Sequence, residues 1–187
     1  MMVLKLGVWV VLAMALLVGN AARAQETQLK VEHARTYLSE GVYYLHADLH
    51  YRLGSVLDEA LHSGVALTFE AQIQIIRPRD WWLNVTSAEL SLRYRLEYQP
   101  LTRLYVLTHL NTGVKQTFFR LSSALHAMGK IDRVPLLDAA LLDADEAYRA
   151  RMRSRLLFDA LPLPLRVRGY IGREWSPSSD WYTWPLR

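Results

Sequence analysis

The sequence contains no cysteine. That removes disulfides, thiol nucleophiles, iron–sulfur clusters, cysteine-type zinc sites and any lipidated N-terminal cysteine. No large charge excess exists either. Twenty-two basic residues face 18 acidic ones, a formal net charge of +4, too mild to suggest a nucleic-acid partner or global steering. Gly-x-Ser-x-Gly, Ser-x-x-Lys and His-Glu-x-x-His are all absent, so no sequence signature of a nucleophilic or zinc hydrolase is present. No cofactor motif is found, and none is expected to be bound. Internal repeats, low-complexity tracts and linkers are also missing. The seven prolines fall at or beyond the ends of the regular segments.

What is present is the profile of a folded chain: 51% hydrophobic and 21% charged residues over 187 positions. The first 24 residues stand apart. Lys5 precedes an uncharged apolar stretch from Leu6 to Val18, followed by a small-x-small end at Ala22-Arg23-Ala24. This pattern predicts a secretory signal peptide over residues 1–24, cleaved after Ala24. The apolar stretch is shorter than the roughly 20 residues a membrane-spanning helix needs, so no transmembrane segment is expected after cleavage. Residues 25–187 are then expected to form a single exported β-rich domain, located in the periplasm, with a net charge of +2 once Lys5 and Arg23 leave.

Period-two alternation dominates the rest. Apolar residues at Tyr43, Leu45, Ala47, Leu49, Tyr51 and Leu53 alternate with Tyr44, His46, Asp48, His50 and Arg52. The pattern recurs from Val65 to Ile75 and from Ala88 to Tyr98. It is weaker from Arg103 to Leu110 and returns from Tyr148 to Leu156. A short strand is expected over residues 28–33. Helices are few. Ser55 to Gly64 reads as a two-turn helix capped by Ser55, and Phe118 to Met128 as a second. The stretch Val134 to Tyr148 suits a further helical turn. The expected fold is all-β: an antiparallel β-sandwich-like domain, immunoglobulin-like in architecture only, with two or three short helices.

Four features bear on function. His46, Asp48 and His50 share one face of a strand. Their i, i+2, i+4 spacing sets the two histidines about 13 Å apart, too far for both to bind one ion. The trio is expected to be a solvated face, and no metal is expected. The alternative metal site pairs Asp48 and one histidine with His109 from a neighbouring strand. Arg149, Arg151, Arg153 and Arg155 form a one-sided stripe. At about 7 Å spacing such charges repel by only ~0.6 kcal/mol in water. The stripe is therefore tolerable when wet, paired with Glu89 or Glu97 across strands, or offered to an oxyanion or acidic partner. Trp175, Trp181 and Trp184, with Tyr182, crowd the C-terminus, either as a binding anchor or as a plug for the end of the sandwich. Trp81-Trp82 invites the same two readings. Fourth, Leu104 to Leu110 is apolar on both faces, the cue for a cavity-bearing carrier.

An arginine-alternating strand, then Leu161-Pro162-Leu163-Pro164-Leu165, then Trp175-Ser176-Pro177-Ser178-Ser179-Asp180-Trp181-Tyr182, resembles domain of unknown function family 4390. Trp81-Trp82 and the strand Leu90 to Tyr98 share the likeness, which covers about residues 27–186. The resemblance implies a small exported protein of Gram-negative bacteria, periplasmic or envelope-associated, with relatives encoded near membrane sensor kinases. It carries over no catalytic residues. The expected function is a non-catalytic binding or accessory module that contacts a protein partner in the envelope, such as a membrane sensor. Its contact residues are expected to be Arg149, Arg151, Arg153, Arg155, Trp175, Trp181 and Trp184. The alternative is a small-ligand or lipid carrier, and after it a metal-dependent enzyme.

Overall fold

The structure, a computed structural model, describes residues 26–78, 85–157 and 177–186. Among the described residues nine strands form two antiparallel sheets packed as a sandwich, with two short helices. The three-stranded sheet has the order β1 (Gln28–Ser39), β2 (Val42–Arg52), β7 (Lys130–Asp138). The six-stranded sheet runs β6 (Lys115–Phe118), β5 (Leu104–His109), β4 (Val85–Gln99), β3 (Leu67–Arg77), β8 (Arg149–Leu156), β9 (Tyr182–Pro185). Helix α1 (Ser55–His62) links the sheets between β2 and β3, and α2 (Leu121–Gly129) links them between β6 and β7.

Alternation explains the layers. Successive side chains on a strand point to opposite sides. From β2, Leu45, Ala47, Leu49 and Tyr51 therefore enter the interior together. They meet Leu67, Phe69, Ala71, Ile73 and Ile75 from β3, and Ala150, Met152 and Leu156 from β8. Burying each large apolar side chain contributes about 1.5–3 kcal/mol. Alternation also fails where the backbone breaks it. A β-bulge between Val31 and His33 shifts the register of β1 against β2. After Leu29 and Val31 the next buried residue is therefore Ala34, and the strand runs on to Ser39, past the expected 28–33.

Other boundaries differ from expectation. The N-cap of α1 is Gly54, with no side-chain cap, while Ser55 is its first helical residue. Phe118 ends β6, and α2 begins only at Leu121. Val134 to Asp138 belongs to strand β7, and the expected helical turn is the short 3-10 turn Ala139–Leu141. Pro135 is tolerated in β7 because β7 is an edge strand, where a missing N–H costs no ladder bond. Among the described residues no helix is long and apolar enough to cross a membrane.

Candidate docking face

The outer surface of the six-stranded sheet carries the arginine stripe. Register places Arg149, Arg151, Arg153 and Arg155 of β8 opposite Ile76, Gln74, Gln72 and Glu70 of β3. On the other side of β3, Glu89, Ser91, Arg93 and Arg95 of β4 lie opposite Gln74, Gln72, Glu70 and Thr68. Apart from Ile76, these side chains form one polar layer in two parts.

The first part is neutralising. Glu70 is 1% exposed. Its carboxylate accepts from Nε of Arg155 at 2.7 Å and from Nε of Arg93 at 3.1 Å, and Nη2 of Arg155 lies 2.6 Å away. Burial pushes the Glu70 carboxyl up, but the two guanidiniums outweigh it and hold the group below the usual carboxylate range.

The second part is a relay without direct ion pairing. Nε of Arg153 donates to Gln72, and Nε of Arg151 donates to Gln74, both at 2.9 Å. The two glutamine amides donate onward to the two oxygens of Glu89, at 2.7 and 3.0 Å. The bonds from Gln72 and Gln74 hold the Glu89 carboxyl below its usual range, against a partial desolvation that raises it. The Trp181 ring lies against both arginines, with guanidinium carbons 4.3 Å (Arg151) and 4.6 Å (Arg153) from its centroid. Each arginine is therefore pinned by Nε and stacked by an indole, while among the described residues its terminal Nη groups make no hydrogen bond and remain for a ligand. Among the described residues neither Arg151 nor Arg153 reaches a carboxylate at ion-pair distance. Counting the outward side chains of β4, β3 and β8, six arginines face the three glutamates Glu70, Glu89 and Glu97, a difference of +3.

The expected contact residues divide. The four arginines and Trp181 share this surface. Trp184 does not. Its ring is buried at 8% exposure in the core, and its Nε1 donates to Thr36 at 3.3 Å. It sits opposite Ala150, an inward position, so alternation along β9 turns it away from the contact expected for it. Trp175, Trp81 and Trp82 lie outside the described residues, as does Leu161 to Leu165. The partners that orient the stripe, Gln72 and Gln74, are legible only once β3 is placed beside β8; their sequence signal was the polar side of the Val65 to Ile75 alternation.

His46, Asp48 and His109 are not brought together. His46 and Asp48 belong to the three-stranded sheet, and His109 to the six-stranded one. Nδ1 of His46 lies 3.0 Å from Asp132, and Asp48 meets Lys130 at 2.6 Å. The Lys130 hydrogen bond and charge hold the Asp48 carboxyl low despite some desolvation. His109 stacks on Tyr94, with centroids 4.8 Å apart. Among the described residues no three His, Cys, Asp or Glu side chains group to hold a metal.

The carrier alternative finds its doubly buried strand. In β5, Tyr105, Val106, Leu107 and Thr108 are all buried. Phe69, Leu96 and Met152 are fully buried in the interior between the sheets. Surface grooves exist. One of about 470 Å³ runs between the end of β2 and α2, over Leu49, Leu53, Leu121 and Leu125, with His50 and His126 at its rim. A second, of about 430 Å³, lies beside Tyr43, Tyr148 and Leu186.

In comparison with known proteins, one family model, described as "Domain of unknown function (DUF4390)", matches residues 26–185. No curated protein and no solved structure matches the chain.

Proposed function

Because the chain belongs to the DUF4390 family, whose description names no chemistry, we propose from the docking face that it is a non-catalytic accessory protein. It is exported to the periplasm and binds a protein partner in the envelope, such as a membrane sensor. The contact is the outer face of the six-stranded sheet, through Arg149, Arg151, Arg153 and Trp181, with Arg155 completing the stripe.

One observation carries this reading. Among the described residues, Arg151 and Arg153 are held in place by neutral glutamines and an indole, not by carboxylates. Ordering two long side chains costs entropy, and a purely structural stripe would regain it most simply by ion pairing, as Arg155 does with Glu70. Neutral restraints instead leave oriented charge facing outward, the arrangement that favours recognition of an acidic surface.

The test is cross-linking in intact cells with a tag on the C-terminus of the mature chain, followed by mass spectrometry. A parallel strain carries R149E, R151E and R153E. The expected result is one envelope protein captured by the wild type and lost in the variant, with the variant folded by circular dichroism. Equal capture by both strains would remove the arginine face from the contact.

A further inference from the structure

Resting on the docking face just proposed, we infer that its ligand is an extended acidic segment of a protein, with carboxylates at alternate positions, laid along β8. The argument is one of pitch. Arg149, Arg151 and Arg153 stand at every second position of one strand and point to the same side. Their repeat is therefore about 6.6–7 Å. An extended segment presents its own alternate side chains at the same repeat, so three carboxylates stay in register over three rungs. A helix offers acidic side chains four residues apart at about 6 Å, and loses register by up to about 1 Å at each rung.

The restraints fit this occupant. Arg151 and Arg153 spend Nε on Gln74 and Gln72, so among the described residues the Nη1–Nη2 end of each fork is left, the edge that pairs two oxygens of one carboxylate. Arg155 is already committed to Glu70 through Nε and Nη2, which ends the ladder on that side. The flank is low. Thr183 and Pro185 of β9 lie opposite Arg151 and Arg149, and neither carries a charge that would compete.

The same geometry disfavours a bilayer or a lone phosphate. Membrane surfaces are gripped by aromatics that protrude to the headgroup level, whereas Trp181 lies against its two arginines. A single phosphate engages two guanidiniums at most across this spacing and leaves the third rung unused.

The experiment uses the full mature chain. Calorimetric titration at low salt compares three probes: a peptide of about nine residues with aspartates at alternate positions, the same composition with the aspartates contiguous, and inorganic phosphate. Vesicles containing anionic phospholipid are tested by co-sedimentation. The alternating peptide is expected to bind about tenfold tighter than the contiguous one. Its binding should weaken with salt and fall about tenfold in R151Q/R153Q. R149E is the second variant. Among the described residues its side chain makes no hydrogen bond or ion pair, so the fold should be unperturbed and the loss comparable. Equal binding of both peptides, or tighter binding of phosphate or vesicles, overturns the inference. If cellular capture is lost in the arginine variant while the alternating peptide shows no advantage, this inference fails and the docking face stands. If capture survives in the variant, both fall.

Discussion

The phenol of Tyr51 and the hydroxyl of Ser154 meet at 2.9 Å in the interior, joining β2 of one sheet to β8 of the other. Both residues are buried, and burial pushes the Tyr51 phenol up, against the opposing effect of the Ser154 hydrogen bond. Tyr51→Phe leaves the serine oxygen without its partner, and Ser154→Ala strands the phenol. Each should cost about 1–3 kcal/mol. The double variant removes both polar groups and should cost less than the sum. A urea-denaturation cycle measures the difference. Simple additivity would show that the two hydroxyls do not act as a pair.

Glu70 ties two arginines together from a position almost without solvent. Its pKa is depressed in the folded state, so its contribution is present above the unfolded value of about 4.3 and is lost as pH falls through the folded value. Glu70→Gln should cost about 3 kcal/mol at neutral pH, because two cations lose their shared anion. It should also flatten the decline of stability between about pH 5 and pH 3. Thermal melts across that range would show it. An unchanged acid slope would mean that other depressed carboxyls, Asp48 and Glu89 among them, carry the effect.

The sandwich was legible because β2, β3, β4 and β8 each present one apolar face, and period two is a local property of sequence. What was not legible depends on neighbours. β6 carries Lys115, Gln116 and Thr117, all exposed on an edge, so it has no apolar side to betray it. β7 holds Pro135 and two register shifts against β2, which blur its alternation. The docking face was half legible. The arginine stripe stands out in the sequence, but its restraint by Gln72, Gln74 and Trp181 arises only from strand order. Trp184 and Trp181 look alike in sequence and face opposite sides of the same sheet.

Gly129 closes α2 against β2, and a Cβ there would overlap the carbonyl oxygen of Leu49. The clash is with backbone, which cannot rotate away. Gly129→Ala should therefore cost more than about 3 kcal/mol or yield little folded protein. Chemical denaturation or soluble yield would report it. A near-neutral result would mean that α2 can shift off β2 without loss.

Desolvation lowers the pKa of His109, disfavouring its charged form. Its Nε2 is buried without a partner among the described residues, while Nδ1 lies 2.8 Å from the Thr112 hydroxyl. The unfolded state takes up a proton near pH 6.5 before the folded state does. Stability from this residue is thus present above that pH and lost as pH falls towards the folded value. His109→Phe keeps a ring for Tyr94 and removes the titration. Wild type should lose stability as pH falls below about 6.5, and the variant should lose less. Equal slopes in that window would mean that the folded protein accepts the proton on His109 without cost.

Trp181 separates structure from recognition on the docking face. Its two cation–π contacts lie at a half-exposed site, where each is worth about 0.5–1 kcal/mol. Trp181→Ala should lower stability by no more than about 2 kcal/mol, since Arg151 and Arg153 keep their bonds to Gln74 and Gln72. Capture of the proposed envelope partner should fall by more than that loss of folded protein explains, because the freed guanidiniums must be ordered again on binding. Gln72→Leu with Gln74→Leu makes the complementary change, keeping the indole and removing the Nε anchors. It should also weaken capture, at a larger cost in stability, since Glu89 then loses both of its amide donors. If neither change affects capture while both proteins remain folded, the arginines act only through charge, and their fixed orientation plays no part in recognition.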